Sequence, residues 1–231
     1  IKIKVPVLII GNITLGGTGK TPLALNLITK FLNEGLNPAL ISRGYGGSAK
    51  NIIEVLESSN VRSVGDEALL IKTKSKIPVF VGKDRVNVAK ILLTKYPKTS
   101  IIISDDGLQH HRLARDYEII VVDSKRKFGN GFIFPAGPLR ESRARLNQVD
   151  ALVYKGTSNN SKFYQMKYIT KHFKNLVTSK KVLFEGIQVK KIVAITAIGN
   201  PESFFSTLEG YNLEFKKVIF NDHYLFNKND F

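Results

Sequence analysis

A short segment near the start of the chain, GNITLGGTGKTP from Gly11 to Pro22, has the residue types and spacing needed to hold a polyphosphate. Gly16, Gly17 and Gly19 let the backbone curl until several N–H groups point at one anion. Lys20 adds a mobile point charge suited to β- and γ-phosphates. Thr21 adds a hydroxyl suited to a Mg²⁺ that bridges them. An apolar run, Val5 to Ile10, leads in, and a helical pattern, Leu23 to Phe31, leads out. Strand, glycine-rich turn, Lys-Thr and helix is the order of a phosphate-binding loop, and the positive end of that helix faces the same anion. Thr14, Leu15, Gly16, Gly17, Thr18, Gly19, Lys20 and Thr21 are therefore the expected nucleotide-binding residues. One position departs from the motif: Thr14 stands where glycine is expected. The loop points to a nucleoside triphosphate, and other residues decide how it is used.

ISDDGLQHHR, Ile103 to Arg112, ends an apolar run with Asp105 and Asp106. An adjacent acidic pair ending a buried strand suits Mg²⁺ beside a phosphate loop, and it is more than the Asp-Gly turn signal alone requires. SVGDEALL places Asp66 and Glu67 at a helix start, where local evidence favours a cap with dipole-stabilising acids. ISRGYGG carries Arg43 and Tyr45 in a glycine-rich loop; phosphate or sugar contact and an ordinary surface loop are equally open. Phe128 to Ser142, FGNGFIFPAGPLRES, is a long Gly- and Pro-rich loop with Arg140 and Glu141, and long loops in compact domains often carry function. His223 stands alone in FNDHYLF, where a structural role is the commoner one.

These blocks need a frame to bring them together. Ala39–Ser42, Val79–Val81, Ile101–Ser104, Ile119–Asp123 and Ala151–Lys155 read as buried strands, with helices over Thr21–Asn33, Asp66–Lys74 and Arg85–Lys95. That alternation predicts an α/β fold: a P-loop NTPase-like doubly wound, mostly parallel sheet, with ligands at the carboxyl ends of its strands. The core domain is expected over 1–156. A linker over 157–190 follows, with extended stretches near Tyr164–Thr170 and Val182–Val189. A smaller α/β domain is expected over 191–231: strand Ile192–Thr196, helix Glu202–Leu208, strand Leu213–Phe220. The sequence lacks an initiator Met and begins almost at the first strand, so it reads as a fragment with its second domain cut short.

At 231 residues the chain can bury a real core. It has no cysteine, which excludes disulfides and thiol chemistry. No signal peptide and no long apolar span is visible. The net charge of +16, from 35 basic and 19 acidic residues, suits polyanionic partners (nucleic acid, anionic headgroups or phosphorylated substrates) and equally suits an ordinary Lys-rich soluble surface, because charge alone does not choose a partner.

Taken in order and spacing, GNITLGGTGKTP, ISRGYGG, VGDEALL, the Asp84–Arg85 pair, SDDGLQHHRLARD, FGNG, PAGPLRE, GNPESFF and FNDHYLF resemble the tetraacyldisaccharide 4′-kinase family of lipid A biosynthesis in Gram-negative bacteria. The resemblance covers nearly the whole chain, and Thr14 resembles the family's own variant of the loop. It implies an activity: transfer of the γ-phosphate of ATP to the 4′-hydroxyl of an acylated glucosamine disaccharide 1-phosphate, with Mg²⁺, giving lipid IVA. It also implies residue roles. Asp66 would be the general base, with His223 its partner and Lys20 on the phosphates. Thr21, Glu67, Asp105, Asp106 and Glu141 would serve the metal. Asn12, Tyr45, Arg85, His110 and Arg140 would line the phosphate and disaccharide side. An N-terminal membrane-inserting helix, a TEKD-like segment beyond DHY and a place on the cytoplasmic face of the inner membrane belong to the same resemblance. A regulatory switch ATPase or GTPase shares the phosphate loop and acidic strand end, but it needs neither Tyr45, Arg85 nor PAGPLRE. A nucleic-acid-binding ATPase finds no helix-turn-helix or RNP motif here. Nothing in the sequence speaks to oligomeric state.

Overall fold

The computed structural model describes all residues except 45–50, 157–162, 171, 184–190 and 231. The chain divides into two compact units, Ile1–Lys167 and Tyr168–Phe231.

The first unit is built on strands whose residues are apolar almost without interruption. β1 (Val7–Gly11) and β2 (Pro38–Ser42) are buried at every position, as expected for strands covered on both faces. β3 (Ile53–Glu54), β4 (Val79–Val81), β5 (Ile101–Asp105), β6 (Tyr117–Asp123), β7 (Ala151–Lys155) and β8 (Tyr164–Met166) complete an eight-stranded sheet. Its order is β3-β4-β2-β5-β1-β6-β7-β8. All pairings are parallel except β3 with β4.

Alternate side chains feed two separate cores, one on each face. On one face α1 (Lys20–Asn33) and α3 (Asp66–Ser75) lay Leu23, Ala24, Ile28, Ala68 and Ile71 over Leu8, Ile10, Leu40 and Ile103. On the other, α4 (Arg85–Lys95) lays Val86, Val88, Ala89 and Leu92 over Val7, Ile9, Ile41 and Ile102, joined by Leu108, Leu113 and Leu139. The expected doubly wound sheet is thus present, with β1 at its centre. The short helix α2 (Val61–Val64) and the two-residue strand β3 had no counterpart in the sequence reading.

In the second unit, β9 (His172–Lys174) pairs antiparallel with β10 (Lys181–Leu183). β11 (Ile192–Thr196) pairs parallel with β12 (Phe215–Ile219) across α5 (Pro201–Glu209). Asn200 caps α5 and Pro201 opens it, the favoured arrangement for a helix start. The core of this unit is small: Ala194, Phe205 and Leu208, with Phe173, Phe204, Leu213 and Phe215 packed around them. The strand–helix–strand unit read from the sequence is present. Of the stretch read as 157–190, β8 joins the main sheet and β9 and β10 lie in the second unit.

Candidate active site

The parallel register brings the chemistry to one edge. Ile10 pairs with Asp105 and Gly11 with Ile120, so β1, β5 and β6 deliver their carboxyl ends side by side. The phosphate loop leaves β1 there. Gly16 and Gly19 lie in the left-handed region, at φ 86° and 101°, where glycine is the residue without steric penalty. Thr14 does not; it forms an isolated antiparallel bridge with Leu139. The loop therefore has no need of glycine at that position.

Buried Asn12 organises the loop from within. Its Nδ2 donates to the carbonyls of Thr14 (2.8 Å) and Gly16 (3.3 Å), and its Oδ1 accepts from Lys20 Nζ at 3.2 Å. Lys20 also lies 3.3 Å from Asp106 Oδ1. Asp106, at φ 50°, turns its carboxylate toward Arg140, whose NH1 donates to both oxygens at 3.1 and 3.0 Å. Burial opposes ionisation of Asp106, but Lys20 and Arg140 hold its carboxyl below the ordinary value. Asp105 is different. It is fully buried, and burial followed by the charge of Glu67 pushes it up to about 7, against the pull of Lys20. Its Oδ1 is a buried acceptor without a hydrogen-bond partner. Thr21 Oγ1 donates to Glu67 Oε1 at 3.0 Å, which ties the start of α1 to the start of α3.

The residues 128–142 complete the edge. Leu15 N–H donates to Pro138 O at 2.8 Å, and Arg140 N–H to Ile13 O at 2.7 Å. These two bonds set Arg140 and Glu141 beside the phosphate loop. Gln109 bridges them: its Nε2 donates to Glu141 Oε1 at 2.7 Å and its Oε1 accepts from Arg140 NH1 at 3.5 Å. Arg85, buried at the start of α4, donates to Gly82 O at 2.6 Å. Burial lowers its pKa to about 10, opposed by Asp106 and Asp105. His110 Nε2 is buried without a partner, and burial together with Arg85 lowers its pKa.

Asp66 is not a cap. Gly65, at φ 85°, is the N-cap of α3, and Asp66 is the first helical residue, exposed, accepting from Glu67 N–H at 2.8 Å. The local reading of Asp66 as cap therefore gives way. Asp66 adjoins Glu67 and so stands at the Thr21 end of the phosphate loop. His223 belongs to the second unit, at φ 59°, with Nε2 3.8 Å from Asp222 Oδ2 and its N–H donating to Ala197 O. Tyr45 lies outside the described residues.

A match to known proteins now bears on this edge. A family model described as Tetraacyldisaccharide-1-P 4'-kinase matches residues 1–231. The chain belongs to this family. A relative called tetraacyldisaccharide 4'-kinase in Methylobacillus flagellatus is 40% identical over 232 residues, spanning 100% of this chain and 69% of its own length. One of the same name in Francisella tularensis subsp. novicida is 42% identical over 244 residues, covering 100% and 76%. A crystal structure of LpxK from Aquifex aeolicus in complex with ATP aligns with a TM-score of 0.77 and 27% identity, over 97% of this chain and 73% of that one.

Of the residues singled out from the sequence, Asn12, Lys20, Thr21, Glu67, Asp105, Asp106, Arg140 and Glu141 converge through the contacts above. Three features escaped the sequence reading. Gln109 lies inside a quoted motif, but its bridging role depends on contact with a distant loop. Glu118, on β6, binds Arg115 NH1 at 2.6 Å and Arg145 NH2 at 2.7 and 2.6 Å; Arg145 Nε lies 3.5 Å from Glu141. Arg126 stands three residues beyond the end of β6, and a Cβ on Gly16 would come within 3.0 Å of its NH1. The carboxyl end of a strand adjoining β1 was the available signal for Arg126.

The oxygen donors Asp105, Asp106, Glu67 and Thr21 are the hard set that Mg²⁺ prefers. Among the described residues, no three His, Cys, Asp or Glu side chains converge as a ready-made metal cage. Mg²⁺ characteristically takes one or two carboxylates and completes its shell with water and substrate phosphates. The orphaned Asp105 Oδ1 and the Thr21 hydroxyl fit that mode.

Proposed function

We propose that this chain transfers the γ-phosphate of ATP to the 4′-hydroxyl of an acylated glucosamine disaccharide 1-phosphate, as the name of its family describes. The observation that carries this reading is the chain of contacts Asn12–Lys20–Asp106–Arg140 at the mouth of the phosphate loop. Two cationic side chains, Lys20 and Arg140, gather there on Asp106, which supports a phosphoryl-transfer site, and Arg140 comes from the loop that a simple switch ATPase does not need.

The roles follow from position. N–H groups of the glycine loop and the start of α1 bind the phosphates. Lys20 and Arg140 neutralise charge on the phosphoryl group as it loosens from ADP. Asp66, exposed at the start of α3, takes the proton of the sugar 4′-hydroxyl as its oxygen bonds to phosphorus. Asp105 with Thr21 would be the better direct seat for Mg²⁺, because Asp106 is already committed to Lys20 and Arg140; the ion would supply positive charge against the phosphates. His110 and Arg85 line the acceptor side.

The substrate's acyl chains place the reaction at a membrane surface. No helix among the described residues is long and apolar enough to cross a membrane. Phe132, Ile133 and Phe134 are at least half exposed on the same loop that flanks the site, and Lys125 and Lys127 are exposed nearby in sequence. Apolar side chains among basic ones suit an anionic bilayer interface, which supports a peripheral place at the inner face of the bacterial inner membrane. The test is ATP turnover in mixed micelles with and without acylated disaccharide phosphate, with the lipid product weighed by mass spectrometry. ADP release that depends on the acceptor and yields the bisphosphorylated lipid supports the kinase. ADP release equal with and without acceptor, and no phosphorylated lipid, would favour the switch ATPase.

A further inference from the structure

Arg126 has a place at the phosphate loop that none of the roles above uses. Asp123, buried at the end of β6, accepts from the N–H groups of Lys125 (3.0 Å) and Arg126 (3.1 Å), and its other oxygen lies 3.5 Å from Lys155 Nζ. This carboxylate shapes the turn that follows β6 and is thereby used up. The turn carries Arg126 across the loop until NH1 sits 3.0 Å, and NH2 3.4 Å, from the position a Cβ on Gly16 would occupy. Gly16 itself is at φ 86°, and that conformation reserves the position for glycine. The Arg126 guanidinium makes no hydrogen bond and no ion pair among the described residues. Lys20 and Arg140, by contrast, already share Asp106. A cleft lined by Thr14, Thr18, Lys127 and Pro138 opens beside it.

A planar group with five donors and no acceptor, held over a glycine whose neighbours form an anion cradle, is matched to an anion in that cradle. From this placement we infer that Arg126 is a built-in arginine finger: it donates to the β- and γ-phosphate oxygens of ATP from the β6 side of the loop, as a third cation beside Lys20 and Arg140. The inference rests on the kinase reading for its chemistry. During transfer the 4′-hydroxyl oxygen bonds to the γ-phosphorus, its proton passes to Asp66, and the bond from γ-phosphorus to the bridging oxygen breaks. The electron pair of that bond stays with ADP. Arg126 faces the oxygens on which this charge collects, the position from which an arginine supplied by the same chain acts in phosphoryl transfer.

The test is Arg126→Ala, read three ways. The nucleotide-free thermal midpoint should hold, because the side chain is exposed and makes no partner contact that folding needs. Affinity for ADP should stay within about twofold, whereas affinity for a non-hydrolysable ATP analogue should fall about tenfold, since the lost contact reaches the γ-phosphate. Turnover at saturating ATP and acceptor should fall about 10²-fold, the usual loss for one preorganised donor to developing charge. Unchanged analogue affinity and turnover would overturn the inference. So would equal losses of ADP and analogue affinity with a lowered thermal midpoint, which mark a residue that only packs against the loop. The ratio of analogue to ADP affinity is read without acceptor, so it judges Arg126 even if the unsubstituted protein yields no phosphorylated disaccharide; that separate failure would count against the kinase reading alone.

Discussion

Glu118→Gln tests whether the brace beneath the site is held by charge. Glu118 has a side chain only 8% exposed and faces two guanidinium groups, of Arg115 and Arg145, that are 17% and 15% exposed. Glutamine keeps the shape and one acceptor, but it removes the charge and turns an amide N–H₂ toward two cations. Removing one partner of a buried pair costs about 3–5 kcal/mol. Arg115 keeps the carbonyls of Leu108 and His110, and Arg145 keeps Glu141, so the lower end, about 3 kcal/mol, is the expected loss. For a chain of this size that lowers the melting midpoint by about 6–12 °C. Burial opposes ionisation of Glu118, but hydrogen bonds from Arg115 and Arg145 outweigh it, and its folded pKa lies below the ordinary carboxyl value. The contribution of Glu118 is therefore fully present above the unfolded pKa of about 4.3, and it is lost as pH falls through the folded value. Urea titrations at neutral and acidic pH should show a wide gap between the two proteins that closes on acidification. A neutral-pH difference under about 1 kcal/mol would refute the argument and mark the brace as an ordinary surface pair.

Three further outcomes are expected. Lys20→Ala should leave the melting midpoint nearly unchanged but lower kinase turnover by at least about 10²; near-normal turnover in a folded protein would remove the phosphate-loop assignment. Asp66→Asn should keep ATP binding and stability, since its amide oxygen can still accept from Glu67 N–H, yet lose about 10²–10⁴ in phosphate transfer; full transfer by the stable variant would leave Asp66 without a catalytic role. Phe205→Ala removes the largest fully buried side chain of the second unit and should cost about 3–5 kcal/mol there. Limited proteolysis should then cut within 168–231 while ATP still binds, and loss of ATP binding in step with cleavage would show that the phosphate loop does not stand without that unit.

What could be read from the sequence was what neighbouring residues decide. The phosphate loop is contiguous, and its glycines, Lys20 and Thr21 announce themselves by spacing. The parallel strands are legible because burial on both faces leaves runs such as VLIIG and PALIS with no polar break. Asp105 and Asp106 stand out by ending such a run. Contacts between distant segments were not legible. Gln109 acquires its role only when Glu141 comes to it, and Glu118 only when Arg145 does. β8 is three residues long, too short for a period, so its place in the main sheet was invisible. Asp66 was misread locally because an acid before a helix resembles a cap; the chain enters α3 through Gly65 at φ 85° instead. A catalytic role for Asp66 is implied only by the resemblance of whole motifs, and the Asp66→Asn variant tests it.

The central position of β1 has a consequence for how the protein is made. The glycine-rich motif is complete by Thr21, yet Val7 pairs with Ile102 and Leu8 with Tyr117. Both neighbours of β1 are synthesised long after it, and such distant pairings are slow to form because chain closure precedes any gain in contacts. A nascent chain that carries the entire motif but stops short of β5 has an exposed apolar strand and no cradle. Nucleotide affinity should thus emerge during synthesis only once β6 has left the ribosome, and chains arrested before and after Asp123 should differ in ATP retention even though each contains every residue of the loop. For this fold, ATP reports on completion of the sheet's centre.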